Sequence, residues 1–192
     1  MELGYDKTSS AAPGNTYVSP EYNGNIEGEV WKSAGAGINR KYGVRYDAAD
    51  RLRAAAFLQK TTGTTWDKNQ IYFSVSGLSY DSNRNILSRT RCGFTVDWSF
   101  AVDSPTYSYL NGNASNKLMG VTDAANNPTS LLGDFHYNTG TKQSKDYSYD
   151  GNGNLLLDNN KAIDNISYNF LSLPQLVHMN TKGNIAYTYE AS

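Results

Sequence analysis

Tyr147-Ser148-Tyr149-Asp150-Gly151-Asn152-Gly153-Asn154-Leu155 is the stretch on which the fold turns. Two tyrosines flank a serine, so the arm before Asp150 has the two-residue period of a strand with one face buried. An aspartate can accept hydrogen bonds from nearby backbone amides, and glycine and asparagine enter the left-handed region cheaply, so Asp150 to Asn154 is written as a tight bend. Leu155 resumes an apolar arm. Strand, short Gly/Asn bend and strand make a β-hairpin.

The same grammar recurs through the chain. Tyr22-Asn-Gly-Asn-Ile26, Tyr46-Asp47-Ala-Ala-Asp-Arg-Leu52 and Tyr80-Asp81-Ser-Asn-Arg-Asn-Ile86 are further copies. Tyr109 to Leu118 is a stretched one, Tyr168-Asn-Phe-Leu-Ser-Leu-Pro174 another, and Tyr189 opens a last one. The arms Val44-Arg-Tyr46, Leu78-Ser-Tyr80, Tyr107-Ser-Tyr109, Ile166-Ser-Tyr168 and Tyr187-Thr-Tyr189 all alternate. Spacing between copies is irregular, which places insertions in the connections between units. A single hairpin is marginal in water, but hairpins side by side share a core. Residues 48–60 contain good helix formers, yet they stand where other copies have the return arm. A strand beginning at Leu52 and ending at Phe57-Leu58 is expected. Residues 69–76 also read as a strand. The expected fold is all-β: antiparallel hairpin repeats forming a strongly twisted, curled sheet. It is one domain over residues 1–192, with 1–16 as an irregular lead-in.

Composition agrees. The 192 residues include 15 Tyr, 17 Gly and 21 Asn, a mixture of strand and turn formers. Net charge is -1 and charged residues make up 18%, below the usual ~25%. No clustered Lys and Arg suggest nucleic acid. No apolar run approaches the ~18 residues of a membrane span, so no membrane insertion is expected. The N-terminus lacks the basic and apolar regions of a signal peptide. Cys92 is the only cysteine, which excludes an internal disulfide, and it reads as a small buried hydrophobe.

These residues resemble the YD repeat of rearrangement-hotspot (RHS) proteins, and the style is most similar to bacterial YD-repeat proteins of Bacteroidetes. Tyr149, Asp150, Gly153, Asn154 and Leu155 carry the motif most cleanly; Arg51 and Asn85 stand where that copy has Asn154. Gly24-Asn25-Ile26 and Gly183-Asn184-Ile185 repeat its second half. The resemblance spans about Tyr17 to Tyr189. It implies a section of a β-ribbon shell that encloses or displays a C-terminal toxin or surface polypeptide. Its partners would be the remaining repeats and that cargo, and its setting secreted or cell-surface. The Asp-Pro-x-Gly-Leu-type self-cleavage motif of some members is missing. A section of such a ribbon would have an open edge at each end, so self-association through edge strands is expected.

No chemistry of an enzyme stands out, and no cofactor or metal is expected. His136 and His178 are the only histidines, occur in no His-Glu-x-x-His pattern and stand in no metal-ligand spacing with Cys92. There is neither a Gly-x-Ser-x-Gly elbow nor a phosphate-binding glycine motif. The pairs Asp47/Asp50 and Glu27/Glu29 could serve a glycosidase, but aspartates in these bends are better read as turn formers. Asp123 and Asp134 show no partner in the sequence. The competing reading is a secreted carbohydrate-binding module stacking sugars on Trp31, Trp66 and Trp98, against which stands their use as packing within the sheet.

Overall fold

The computed structural model describes residues 1–17, 19–95, 99–127, 129–137, 139–140, 142–180 and 182–190. Its strands are β1 (Glu2–Gly4), β2 (Gly28–Lys32), β3 (Asn39–Tyr46), β4 (Leu52–Thr62), β5 (Thr65–Asp67), β6 (Val75–Tyr80), β7 (Ile86–Phe94) and β8 (Ser99–Asp103). They continue as β9 (Pro105–Tyr109), β10 (Leu118–Asp123), β11 (Tyr147–Tyr149), β12 (Leu155–Asp158), β13 (Ile163–Tyr168), β14 (Pro174–Met179) and β15 (Gly183–Ala186). The chain is all-β, and every paired strand runs antiparallel.

Strand order follows chain order. One sheet runs β1-β2-β3-β4-β6-β7-β9-β10, with β5 and β8 added to β4 and β7; the other runs β11 to β15. The result is a meander, so alternate connections fall on opposite rims. The Tyr-initiated bends after Tyr46, Tyr80, Tyr109, Tyr149 and Tyr168 share one rim. The connections of uneven length, such as 63–74 and 124–146, share the other.

Hairpins are well zipped internally, and three of the joints between them are thin. Within β3/β4 the ladder runs from Arg40↔Gln59 to Tyr46↔Leu52. At those three joints it shrinks to single pairs, Ala55↔Val75, Ser88↔Thr106 and Asp158↔Ile163, whereas β2/β3 and β14/β15 keep longer ladders. The two sheets meet at β10 and β11. There the Asp146 amide donates to the Met119 carbonyl at 2.8 Å, and the Asp146 carboxylate accepts the Val121 amide at 2.9 Å. A side chain thus takes the place of a ladder carbonyl. Gly120 permits it, since a Cβ there would lie 3.2 Å from that carboxylate.

The interior is an aromatic cluster at one end. Phe57 on β4 is 2% exposed. Trp31 and Phe73 meet it edge-on, as does Tyr42, which also stacks on Trp31 at 5.6 Å between centroids. Behind β2 to β4, residues 5–17 and 19–21 fold back. Tyr17 lies over Gly4 and Gly28, where added Cβ atoms would clash with its ring, and the Asn15 side chain accepts from Lys41 at 2.7 Å. Elsewhere the ribbon is thin. Its exposed surface of 11600 Å² exceeds the roughly 9,000 Å² that a compact monomer of this mass presents.

Several expectations change. Residues 1–16 are not wholly irregular, because Glu2–Gly4 pairs with β2. β4 does not stop at Phe57-Leu58: it continues to Thr62, where β5 gives it a second partner. Of residues 69–76 only Val75 and Ser76 are strand. Asn69 is tied into a bend by Asp67, and Ser74 spends its hydroxyl on the Phe57 amide. Tyr22 opens no strand and is 83% exposed.

A candidate structural site on the turn rim

Four of the bends share one geometry. In the first, the Asp47 amide donates to the Arg51 carbonyl at 2.9 Å, and the Asp50 amide donates to the Asp47 carbonyl at 3.0 Å. One carboxylate oxygen of Asp47 accepts the amides of Ala49 and Arg51. The other accepts Nε of Arg51 at 2.8 Å. Asp81 with Asn85 and Asp150 with Asn154 repeat this pattern. Asn169 repeats its backbone part, with its amide oxygen accepting from Leu171 and Leu173. The residue three places after each turn former is left-handed: Asp50 at φ 57°, Arg84 at 68°, Gly153 at 91° and Ser172 at 58°. A bend this tight aims its amides inward, and a short side-chain oxygen is the one acceptor that reaches them all.

The electrostatics follow from these bonds. The Asn154 side chain, then the amides of Asn154, Asn152 and Gly153, hold the Asp150 carboxyl below its ordinary range against partial desolvation. Desolvation pulls Asp47 and Asp81 upward, but donors from Arg51 and Ala49, and from Asn85 and Asn83, outweigh it and leave both lowered. These carboxylates serve their own turns as acceptors.

The tyrosines fasten neighbouring hairpins. Tyr46 Oη donates to the carbonyl of Ile26 at 2.9 Å, and Tyr80 Oη to that of Leu52 at 2.6 Å. Tyr109 donates to Ile86 and Tyr149 to Leu118, each at 3.0 Å. Tyr168 donates to Leu155 at 2.6 Å and Tyr189 to Pro174 at 2.7 Å. In five of the six the acceptor is the first residue of the strand that returns from the preceding bend; Ile26 lies two residues before β2. The aliphatic position therefore supplies a carbonyl as well as an apolar side chain. Burial raises the pKa of Tyr46, Tyr109, Tyr149 and Tyr168, so their hydroxyls keep their protons and donate.

In three of these bends the closing residue reaches forward as well as back. Arg51 donates to the Asp81 carbonyl at 3.3 Å and lies 4.7 Å over the Tyr80 ring. Asn85 donates to the Ser115 carbonyl and to Asn116, and Asn154 to the Ser172 hydroxyl. On the first bend, Asn23 and Asn25 both donate to Asp50. Tyr22, by contrast, joins no such pair.

Trp31 and Trp66 lie apart from this rim. One face of the half-buried Trp31 is covered by Tyr42. Trp66 is half-buried, donates to the Pro13 carbonyl and has the Lys41 ammonium 5.0 Å from its ring centre. Trp98 lies outside the described residues.

Asp123 and Asp134 do have partners. Asp123, 2% exposed, accepts the amides of Ser104, Ala125 and Asn126. Asp134 accepts the Ser130 hydroxyl and faces His136 at 3.4 Å. His178 meets Asp164. Cys92 is half-buried.

Sequence reasoning misses the buried acids Asp103 and Asp146, and the burial of Glu27, which it names only in a pair with Glu29. Asp103 binds Arg91, Arg89 and the Phe135 amide. Their one signal in the sequence is a carboxylate beside an apolar arm in a sparsely charged chain. Among the described residues no group of three or more His, Cys, Asp or Glu is placed to hold a metal ion. What the arrangement does chemically is align hairpins through fixed donors and acceptors. Comparison with known proteins returns no matching family model, no curated relative and no matching solved structure.

Proposed function

We infer that this chain is a non-catalytic structural section of an RHS/YD-repeat shell, a wall that encloses or displays a C-terminal toxin or surface polypeptide. The observation that carries the reading is the tyrosine ladder: six hydroxyls each fasten one hairpin to the one before it. A binding or catalytic site needs its exact side chains in one place. This chain instead spends its recurring residues on the same mechanical joint along the whole ribbon. The surplus of exposed surface suits a wall that other repeats and a cargo complete. In that setting the ribbon twists and curls, as strands do by default, and one face shields the cargo. The setting is secreted or cell-surface.

The test is limited proteolysis of the whole product of the reading frame. A segment C-terminal to the repeats is expected to resist protease while the hairpins are folded, and to be cut once mild denaturant opens them. Equal cutting in both conditions, or a reading frame that encodes no further polypeptide, overturns the proposal.

A further inference from the structure

The part of the sheet formed by β2, β3, β4 and β6 has two faces, and residues 5–17 cover one of them. Lys41 on β3 bonds Asn15, and Arg45 lines the small cavity that Tyr17 also lines. Side chains alternate along a strand, so Tyr42, Val44 and Tyr46 stand on the other face. There the sheet carries a groove of about 380 Å³. Its floor is the cross-strand pair Val44↔Ala55, and Ala55 in turn pairs with Val75. All three are half-buried.

Two features make this groove selective. Its walls are fixed, because Tyr42 Oη donates to the Phe73 carbonyl at 3.0 Å and Tyr46 Oη to that of Ile26 at 2.9 Å. Tied rings leave the floor ready formed, which lowers the ordering cost of binding. The lining is aliphatic and aromatic apart from Glu29, which enters it from β2. The half-buried Glu29 carboxylate has no hydrogen bond or ion pair among the described residues. The cations of β3 that could have answered it are turned elsewhere, Lys41 to Asn15 and Arg40 to Ser33. The local field is negative at both walls: after burial, Glu29 raises the pKa of Tyr42 and Glu21 that of Tyr46.

We propose that this groove binds an extended peptide segment of another polypeptide, one that carries a large apolar residue and, two positions along, a lysine or arginine. An unanswered carboxylate beside apolar surface selects a cation attached to an apolar group. The spacing follows from the sheet. Glu29 on β2 and Val75 on β6 are three strand spacings apart, about 14 Å. Residues i and i+2 of an extended chain point to one side about 7 Å apart, and the long stem of a lysine or arginine supplies the remaining reach. The apolar side chain then covers Leu52, Ala55 and Val75 while the cation meets Glu29. The inference does not depend on the wall reading, and the protease test above and the titration below fail separately.

The test is a titration of the whole isotope-labelled chain with acetyl-Phe-Gly-Lys-amide, followed by nuclear magnetic resonance. Saturable shifts are expected at the amides of Val44, Ala55 and Val75. Acetyl-Phe-Gly-Gln-amide should bind the same residues about three-fold more weakly, and added salt should weaken the lysine peptide alone. Glu29→Gln, an isosteric change at a side chain that bonds nothing, is expected to erase the difference between the two peptides. Should that variant misfold, the peptide and salt comparisons on the parent chain decide the matter. No saturable shift, equal affinity of the two peptides for the parent chain, or a lysine preference that persists in folded Glu29→Gln overturns the proposal. Saturation of the same amides by cellotetraose, or by rising protein concentration alone, assigns the groove to a sugar or to a second copy and overturns it too.

Discussion

At the scale of single residues, the aspartate of each bend acts as an acceptor with its charge engaged. Asp150 is held ionised below the usual carboxylate range, chiefly by Asn154. A lowered folded-state pKa contributes stability that is present above the unfolded value and is lost as pH falls through the folded one. Asn169 occupies the same position in its own bend and accepts the same two amides without a charge. Asp150→Asn is therefore expected to keep the bend, seen as an unchanged far-ultraviolet spectrum. Its loss of melting temperature between neutral pH and pH 3 should be smaller than in the parent chain. An identical acid response in both proteins would falsify the assignment of this carboxylate as a charged turn acceptor.

Among the elements, the joints between hairpins are where the ribbon is weakest, and the seam between β10 and β11 depends on one residue. Asp146 is fully buried and bonds Val121, Met119, Asn159 and Lys142. Asp146→Ala would strand the Val121 amide and remove one partner of the Lys142 ammonium, which keeps the Val121 carbonyl, a cost of about 1–3 kcal/mol for an unmet buried partner. The expected signature is local: faster hydrogen exchange at Val121, with exchange within β3 and β4 unchanged. Loss of protection spread evenly over both sheets would argue against a discrete joint. This seam also marks the limit of what the sequence discloses. Tyr46, Tyr80 and Tyr149 announce strand arms because alternation and turn chemistry are local properties. The return strand at Leu52 could be told from a helix by its place in the repeat. Ser74 and Asp146 act through side chains on strands distant in sequence, and no local pattern encodes that. The hydroxyl-to-carbonyl ladder was half visible: its donors recur as tyrosines, but its acceptors are backbone atoms, which every residue possesses.

Over the whole molecule, pH acts in two opposite directions. The turn aspartates lose stabilising charge in acid, as above. Glu27, 3% exposed, behaves in reverse. Burial, helped by Glu21 and Asp6, raises its pKa, while the amides of Ser19 and Lys7 face it and partly counter the rise. A carboxyl raised in the folded state contributes fully below its unfolded pKa, and that contribution disappears as pH climbs through the folded value. The layer formed by residues 5–17 and 19–21 should thus loosen as pH rises above the unfolded carboxyl value. Glu27→Gln, which cannot ionise, is expected to raise the melting temperature at pH 8 and leave it nearly unchanged at pH 3. A melting temperature lowered at both pH values would mean that the carboxylate is required where it lies.

The separation of the two rims has a practical reading. The six tyrosine fastenings between successive hairpins lie along one selvedge, while the opposite border carries the turns of variable span. Extra residues grafted at an exposed turn of that opposite border, such as Gly35-Ala36, lie away from this row of hydroxyls. Such a ribbon can be lengthened, tagged or decorated there without retuning one of those six stitches.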